Sequence, residues 1–142
     1  MSAETPHRPP LRTGMARSLL REIAERLEAL ARTGEASAID LRSLPMTAGD
    51  RKELKEALGS GDVAATLDVA GRSEVWETRF AGVWWLRHFG DGDHIASEVI
   101  EIARVPDILS AHPDDMRASL KRLNEDLAAA EEPPATEETG NG

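Results

Sequence analysis

The spacing of apolar residues changes at Gly61, and this change limits the fold more than any other feature of the chain. After Gly61, apolar and polar residues alternate through Val63, Ala65, Leu67 and Val69, as in a half-buried strand. Three further alternating runs follow at residues 74–80, 83–89 and 94–103, separated by short turns that contain glycine. Because parallel neighbours need a long crossover, short turns favour a four-stranded antiparallel meander.

Helical spacing flanks this region on both sides. From Met15 to Gly34, apolar residues recur at steps of three and four, and Thr47 is a candidate N-cap for a second helix that ends at Leu58. A third helix follows His112, with the apolar stripe Met116, Leu120, Leu123 and Leu127. The chain is therefore predicted to be an α+β protein in which the four-stranded meander, with a fifth short strand as a further option, packs on three helices.

The two ends of the chain differ in composition from the middle. Residues 1–14 are rich in proline and predict a flexible lead, and residues 132–142 are acidic, rich in Pro and Gly, and predict a disordered tail. The segment between them, residues 15–131, has the size of one domain. We therefore predict a single folded domain over residues 15–131.

Composition and charge narrow the range of functions that the chain can have. The chain has no cysteine, which excludes disulfides, thiolate metal sites and cysteine nucleophiles. The 26 acidic and 17 basic residues give a formal net charge of −9, which disfavours binding to nucleic acid. No apolar run has the roughly 20 residues of a membrane span, and the first residues lack the apolar stretch of a secretory signal. These features predict a cytoplasmic protein with neither nucleic-acid nor membrane partners.

Clusters of ionisable residues have structural explanations. Asp91, Asp93 and His94 fall in a turn between strands, and His112 and Asp114 suit the start of a helix. No spacing typical of a metal site, a catalytic triad or a nucleotide-binding loop occurs. We therefore expect no enzyme activity, no metal and no cofactor.

Glu98 and Arg87 fall on the same face of the predicted sheet as the core residues. We expect them to lie diagonally on neighbouring strands and to form a structural ion pair near the edge of the sheet. A catalytic use of a buried carboxylate is the alternative.

Strand parity places Trp84 on the face opposite Trp76 and Trp85. The predicted core face carries Val63, Leu67, Val69, Trp76, Phe80, Val83, Trp85, Phe89, Ile100 and Ile102. The opposite face has an apolar strip centred on Trp84 and rimmed by charge. Either this strip binds a partner protein, or a helix such as the first one covers it. The candidate partner-binding residues are Trp84, Leu86, Val99, Glu77, Arg79 and His88.

Several short blocks carry a resemblance to a known family. They are Glu-Thr at 77–78, Gly-Val-Trp-Trp at 82–85, Ser-Glu-Val-Ile-Glu-Ile at 97–102, Val-Pro at 105–106 and Asp-Asp at 114–115. Over residues 47–127 the chain resembles the C-terminal conserved region of the HupH/HyaF proteins, which are accessory proteins for making nickel–iron hydrogenases. The resemblance implies a dedicated chaperone whose partners are a hydrogenase subunit precursor and other maturation proteins. It implies no catalytic residue.

Two classes of function stay open. The first is a protein-binding chaperone that acts through the Trp84 face or through an edge strand. The second is an iron- or small-ligand-handling protein of the same pathway, with Glu77, His88, Glu98 or Asp114 as ligands. The metal content of the purified protein distinguishes the two.

Overall fold

The structure, a computed structural model, describes residues 11–68 and 70–131 and divides into two compact units, Met1–Pro106 and Asp107–Gly142. The first unit contains the helices α1 (Met15–Thr33) and α2 (Ala48–Leu58) and the strands β1 (Ser37–Asp40), β2 (Ala64–Asp68), β3 (Arg72–Glu77), β4 (Val83–Phe89) and β5 (Ile95–Ile102). The second unit contains α3 (Pro113–Glu131). The single domain predicted for residues 15–131 extends over both units. The predicted tail at 132–142 and residues 1–10 of the predicted lead lie outside the described residues.

The five strands of the described residues form one antiparallel sheet in the order β1-β5-β4-β3-β2. Each of β2, β3 and β4 pairs with the next strand along the chain, so the predicted meander is confirmed. The fifth short strand is β1, which pairs with β5 from Ser37↔Ile102 to Asp40↔Val99. The predicted α+β class is confirmed by this sheet and the three helices.

The helices α1 and α2 cover one face of the sheet. Their buried side chains form a single core with residues of β1, β4 and β5: Ala16, Leu19, Ile23, Leu30, Ile39, Leu41, Leu54, Leu58, Val83, Trp85, Ile100 and Ile102. Trp76 packs against this core and stacks on Trp85, with ring centroids 5.6 Å apart. The predicted sharing of one face by Trp76, Val83, Trp85, Ile100 and Ile102 is therefore correct. We call it the helix-covered face.

The predicted position of Leu67 is wrong. Leu67 pairs with Ser73, and Ala65 pairs with Val75, so Leu67 lies on the face opposite Trp76. The sequence suggested a four-residue turn at 70–73, but Arg72 and Ser73 belong to β3, and Asp68↔Arg72 closes a turn of three residues. An odd change in turn length reverses every side chain of a strand.

Three other members of the predicted core face also need comment. Val63 precedes β2 and is exposed, and Phe80 follows β3 and is 41% exposed. Both lie beyond the ends of their strands, where alternation no longer determines the direction of a side chain. Val69 lies outside the described residues.

The start of α2 is fixed by a capping box. The hydroxyl of Thr47 accepts a hydrogen bond from the Asp50 amide at 3.0 Å, and the Asp50 carboxylate accepts one from the Thr47 amide at 3.1 Å. The same carboxylate accepts hydrogen bonds from the amide and hydroxyl of Thr13, at 2.7 and 2.6 Å. Residues 11–13 of the predicted flexible lead are thus attached to α2.

In the second unit, α3 carries its apolar stripe in the open. Met116, Leu120, Leu123 and Leu127 are each at least half exposed. Besides α3, the described part of this unit holds a short 3₁₀ turn at Asp107–Leu109.

Candidate functional site

A buried carboxylate lies at the centre of the helix-covered face. Glu98 is 0% exposed, and its Oε2 accepts hydrogen bonds from Trp85 Nε1 at 2.7 Å and from Arg87 Nε at 2.6 Å. Its Oε1 forms an ion pair with the guanidinium of Arg51 on α2. A buried charge is tolerated when it is paired in this way. The predicted pairing of Glu98 with Arg87 is present, but the two residues face each other directly on β4 and β5, in the interior of the sheet and not at its edge.

Cations and indole rings surround this carboxylate. The guanidinium of Arg87 lies 5.1 Å from the ring centroid of Trp76, and the ammonium of Lys55 lies 5.6 Å from the same centroid. Burial, followed by the Arg87 and Arg42 guanidiniums, lowers the pKa of Arg51. Burial and the Arg87 guanidinium also lower the pKa of Lys55. The cluster ties α2 to β3, β4 and β5 around one carboxylate that is paired with two guanidiniums.

The opposite face brings together most of the predicted partner-binding residues. Trp84, Leu86 and His88 alternate along β4, where Trp84 pairs with Glu77 and Leu86 pairs with Val99. Trp84 and Leu86 are buried, each 5% exposed, and the indole of Trp84 donates a hydrogen bond to the Ala103 carbonyl at 3.1 Å. The strip is therefore withdrawn from solvent. The first helix does not cover it, because the buried side chains of α1 belong to the core on the other face.

Arg79 does not join this face. It lies in the turn between β3 and β4, where its Nε donates to the Ala57 carbonyl of α2 at 3.2 Å and its guanidinium stacks 4.9 Å from the ring centroid of Phe80. His88 Nδ1 lies 2.6 Å from the hydroxyl of Ser73 on the neighbouring strand. The partner-binding role of the six residues stays a prediction.

Three adjoining depressions lie along α1. The central one is an apolar recess of about 230 Å³ between α1 and the turn from β3 to β4. The recess is lined by Leu20, Ile23, Ala24, Leu27, Leu58, Phe80 and Val83. One adjoining depression shares Leu20 and Ala24 with it, and another shares Leu27. We call these three adjoining depressions together the α1 groove.

The rim of the α1 groove is basic. Arg17 and Arg21 line one end, Arg104 lines the other, and Arg79 stacks on Phe80 at the recess. Glu53 and Glu77 are the carboxylates among the lining residues. The three lining arginines outnumber the two lining carboxylates, and Arg79 adds a further cation at the recess, whereas the chain as a whole has a formal net charge of −9.

Sequence reasoning missed the α1 groove, although a signal for it was present. The apolar arc of α1 contains two adjacent rows of residues. One row, Ala16, Leu19, Ile23 and Leu30, enters the core. The second row, Leu20, Ala24, Leu27 and Ala31, lines the groove. An apolar arc wider than one packing row indicates a second contact surface.

Within residues 11–68 and 70–131, neither a metal-ligand cluster nor a membrane-spanning helix is present. These residues hold no group of three or more His, Asp or Glu side chains placed to bind a metal ion. None of their helices is both long enough and apolar enough to cross a membrane.

Comparison with known proteins gives consistent matches. The hydrogenase expression/formation proteins HoxQ of Azotobacter vinelandii and HupQ of Azotobacter chroococcum mcd 1 are 29% and 32% identical over 114 residues, which are 77% of this chain and 40% of each relative. The hydrogenase-1 operon protein HyaF of Escherichia coli K12 is 30% identical over 82% of this chain and 41% of its own length. The chain thus spans about two fifths of the length of these curated relatives.

One solved structure matches this chain over almost the whole of that structure's own length. The hydrogenase expression protein HupH from Thiobacillus denitrificans ATCC 25259 is 43% identical, with a TM-score of 0.79, over 84% of this chain and 99% of that one. The family model for the C-terminal conserved region of the HupH hydrogenase expression protein matches residues 14–130, a wider range than the 47–127 expected from the short blocks. The chain therefore belongs to the HupH hydrogenase expression protein family, of which it carries the C-terminal conserved region.

Proposed function

We propose that this chain is a non-catalytic accessory protein that binds a hydrogenase subunit precursor during hydrogenase maturation. The observation that carries the proposal is the family match over residues 14–130, because the matched relatives are named hydrogenase expression/formation proteins. We place this step in the cytoplasm, where subunit precursors are made. Other maturation proteins are further partners in the same proposal.

The geometry of the first unit supports protein binding. Its ionisable core residue Glu98 is committed to Trp85, Arg87 and Arg51. Its surface offers an apolar recess with an exposed aromatic residue, Phe80, and an arginine stacked on it. Aromatic residues and arginine are the residue types that contribute most to protein–protein binding energy.

The alternative, a role in handling iron or a small ligand, has less support. Of its four candidate ligands, Glu98 is ion-paired with two arginines, His88 contacts Ser73, and Asp114 pairs with Arg117 at 2.6 Å. The fourth, Glu77, lines the α1 groove beside Arg104. Nothing in these contacts favours ligand handling over protein binding.

Co-purification from a hydrogenase-producing host tests the proposal. A tagged chain is expected to capture a hydrogenase subunit in its precursor form, which mass spectrometry identifies. The matched control is the same purification from a host in which the hydrogenase structural genes are deleted. Failure to capture any hydrogenase subunit, together with near-stoichiometric metal in the purified chain, would support the alternative and contradict the proposal.

A further inference from the structure

We propose that the α1 groove is the docking site for an apolar helical segment of the subunit precursor that is flanked by acidic residues. This inference rests on the proposed function and names the surface and the kind of segment that it binds. It relocates the contact from the buried Trp84 strip to an open surface of the first unit. Two of the residues predicted for partner binding, Glu77 and Arg79, lie at this groove.

The floor of the groove favours an apolar occupant. Leu20 and Leu27 are half-buried and Phe80 is 41% exposed, so their contact with solvent is only partly removed by the fold. The small side chain of Ala24 between Leu20 and Leu27 leaves room for a partner's side chain. Covering such apolar area with a partner is favourable, and contiguous patches of this kind mark interaction sites.

The walls of the groove favour a helical occupant. The backbone of α1 is hydrogen-bonded within its own helix, and the opposite wall is paired as well. In that wall Thr78 N donates to Val83 O, Val83 N donates to Phe80 O, and Gly82 O accepts from Ala103 N, at 2.9–3.0 Å. An extended segment gains its affinity from main-chain hydrogen bonds, which these walls do not supply. A helix satisfies its own backbone groups and needs only side-chain contacts.

The position of Gly82 holds the two walls together. Gly82 has a φ of +90°, and a Cβ atom at this position would lie 3.0 Å from Cδ1 of Leu27 and 3.4 Å from Cδ2 of Leu30. Glycine therefore lets the turn from β3 to β4 approach α1 closely while adopting a left-handed conformation.

The charges at the rim favour acidic flanks on the occupant. Arg17 and Arg21 stand at one end of the groove and Arg104 at the other. The part of α1 from Arg17 to Thr33 is about 24 Å long at 1.5 Å per residue. A helix of about 17 residues spans the same length, so carboxylates near both of its ends would meet arginines. Complementary charges of this kind set orientation and speed association.

The test compares two groove variants with a control of equal charge change. Arg21→Glu reverses a rim charge, and Ala24→Glu places a carboxylate on the apolar floor; both positions are exposed on α1. Lys52→Glu makes the same charge change as Arg21→Glu at an exposed position of α2 that does not line the groove. Circular dichroism and urea unfolding confirm that each variant is folded.

The full-length precursor and a set of overlapping peptides from its sequence are the binding probes. We expect both groove variants to bind the precursor about tenfold or more weakly, since each loses a favourable contact or buries an unpaired charge, while Lys52→Glu binds like the natural chain. The peptides that bind should share an apolar run with Asp or Glu on both sides. Added salt should weaken binding to the natural chain more than binding to Arg21→Glu.

The outcomes separate this inference from the proposed function. If the natural chain captures the precursor and the folded groove variants capture it equally well, the groove is not the docking site, although the proposed function stands. If the peptides that bind carry basic instead of acidic flanks, the proposed chemistry of the docking segment is contradicted. If the groove variants turn a dimer of the chain into a monomer without changing capture, the groove is an interface between copies. If the natural chain captures no precursor, both proposals are overturned.

Discussion

At the scale of single residues, Glu98 joins three elements of the fold. It lies on β5, accepts hydrogen bonds from two residues of β4, and forms an ion pair with Arg51 of α2. The sequence predicts the partnership with Arg87, because alternation puts both residues on the core face of neighbouring strands. It does not predict Arg51 or the indole of Trp85 as partners, since the position of α2 over the sheet is decided by packing across the whole unit.

Glu98→Gln tests the importance of this cluster. Removing the charge leaves the guanidiniums of Arg51 and Arg87 without their buried counter-charge. Breaking a buried pair costs about 3–5 kcal/mol, and we expect roughly 3 kcal/mol here because both arginines keep some contact with water. The free energy of unfolding in urea measures the effect. Glu25→Gln, at an exposed position of α1, is the control and should change stability by less than about 0.5 kcal/mol. Equal stability of the two variants would contradict a structural role for the cluster.

Asp50 provides a prediction about pH. Hydrogen bonds from the side chain and backbone of Thr13, and then from Thr47, lower the pKa of Asp50 from 3.8 to about 2. Because the folded-state pKa lies below the unfolded one, the contribution of Asp50 to stability is fully present above about pH 4 and is lost as the pH falls towards 2. Stability should therefore decrease across this window in the natural chain and decrease less steeply in Asp50→Asn. Parallel acid-unfolding curves for the two proteins would show that Asp50 does not contribute.

At the scale of elements, the sequence predicts the kinds of element and most of their order. The alternation after Gly61 predicts β2 to β5, and the three- and four-residue steps predict α1. The error in Leu67 comes from one turn, since a turn of three residues instead of four reverses the faces of β2. Pairing of β1 with β5 was also beyond sequence reasoning, because it joins segments that are about 60 residues apart and have no turn between them to indicate register.

The burial of both sheet faces changes the expected effect of the Trp84 substitution. An open Trp84 face would make Trp84→Ala milder than Trp85→Ala. Since Trp84 and Trp85 are 5% and 1% exposed, we expect each substitution to cost roughly 3–5 kcal/mol. Trp76→Ala should cost less, because Trp76 is half-buried. Urea unfolding of the three variants measures this order. A Trp84→Ala variant as stable as the natural chain would return this strip to consideration as a binding surface.

At the scale of the whole molecule, the wide apolar arc of α1 is a sequence signal for a second contact surface, but it does not locate the docking surface. The Trp84 strip is a candidate because it is apolar and rimmed by charge, but the structure buries its centre. The α1 groove depends on the depth of a recess between α1 and the turn from β3 to β4, and pattern reasoning does not measure depth. The chain also spans about two fifths of the length of its curated relatives, so its role in maturation is a proposal. Testing that role requires the hydrogenase subunit itself.

The most direct test of the central claim is the affinity of this chain for one hydrogenase subunit in two states. The precursor and the mature, cofactor-containing subunit are immobilised in turn, and the dissociation constant of each complex is measured. An accessory protein that binds its client and then releases it should bind the precursor with a dissociation constant of about 1 μM or lower and bind the mature subunit at least about tenfold more weakly. Equal affinity for both states, or no binding to the precursor, would contradict the account.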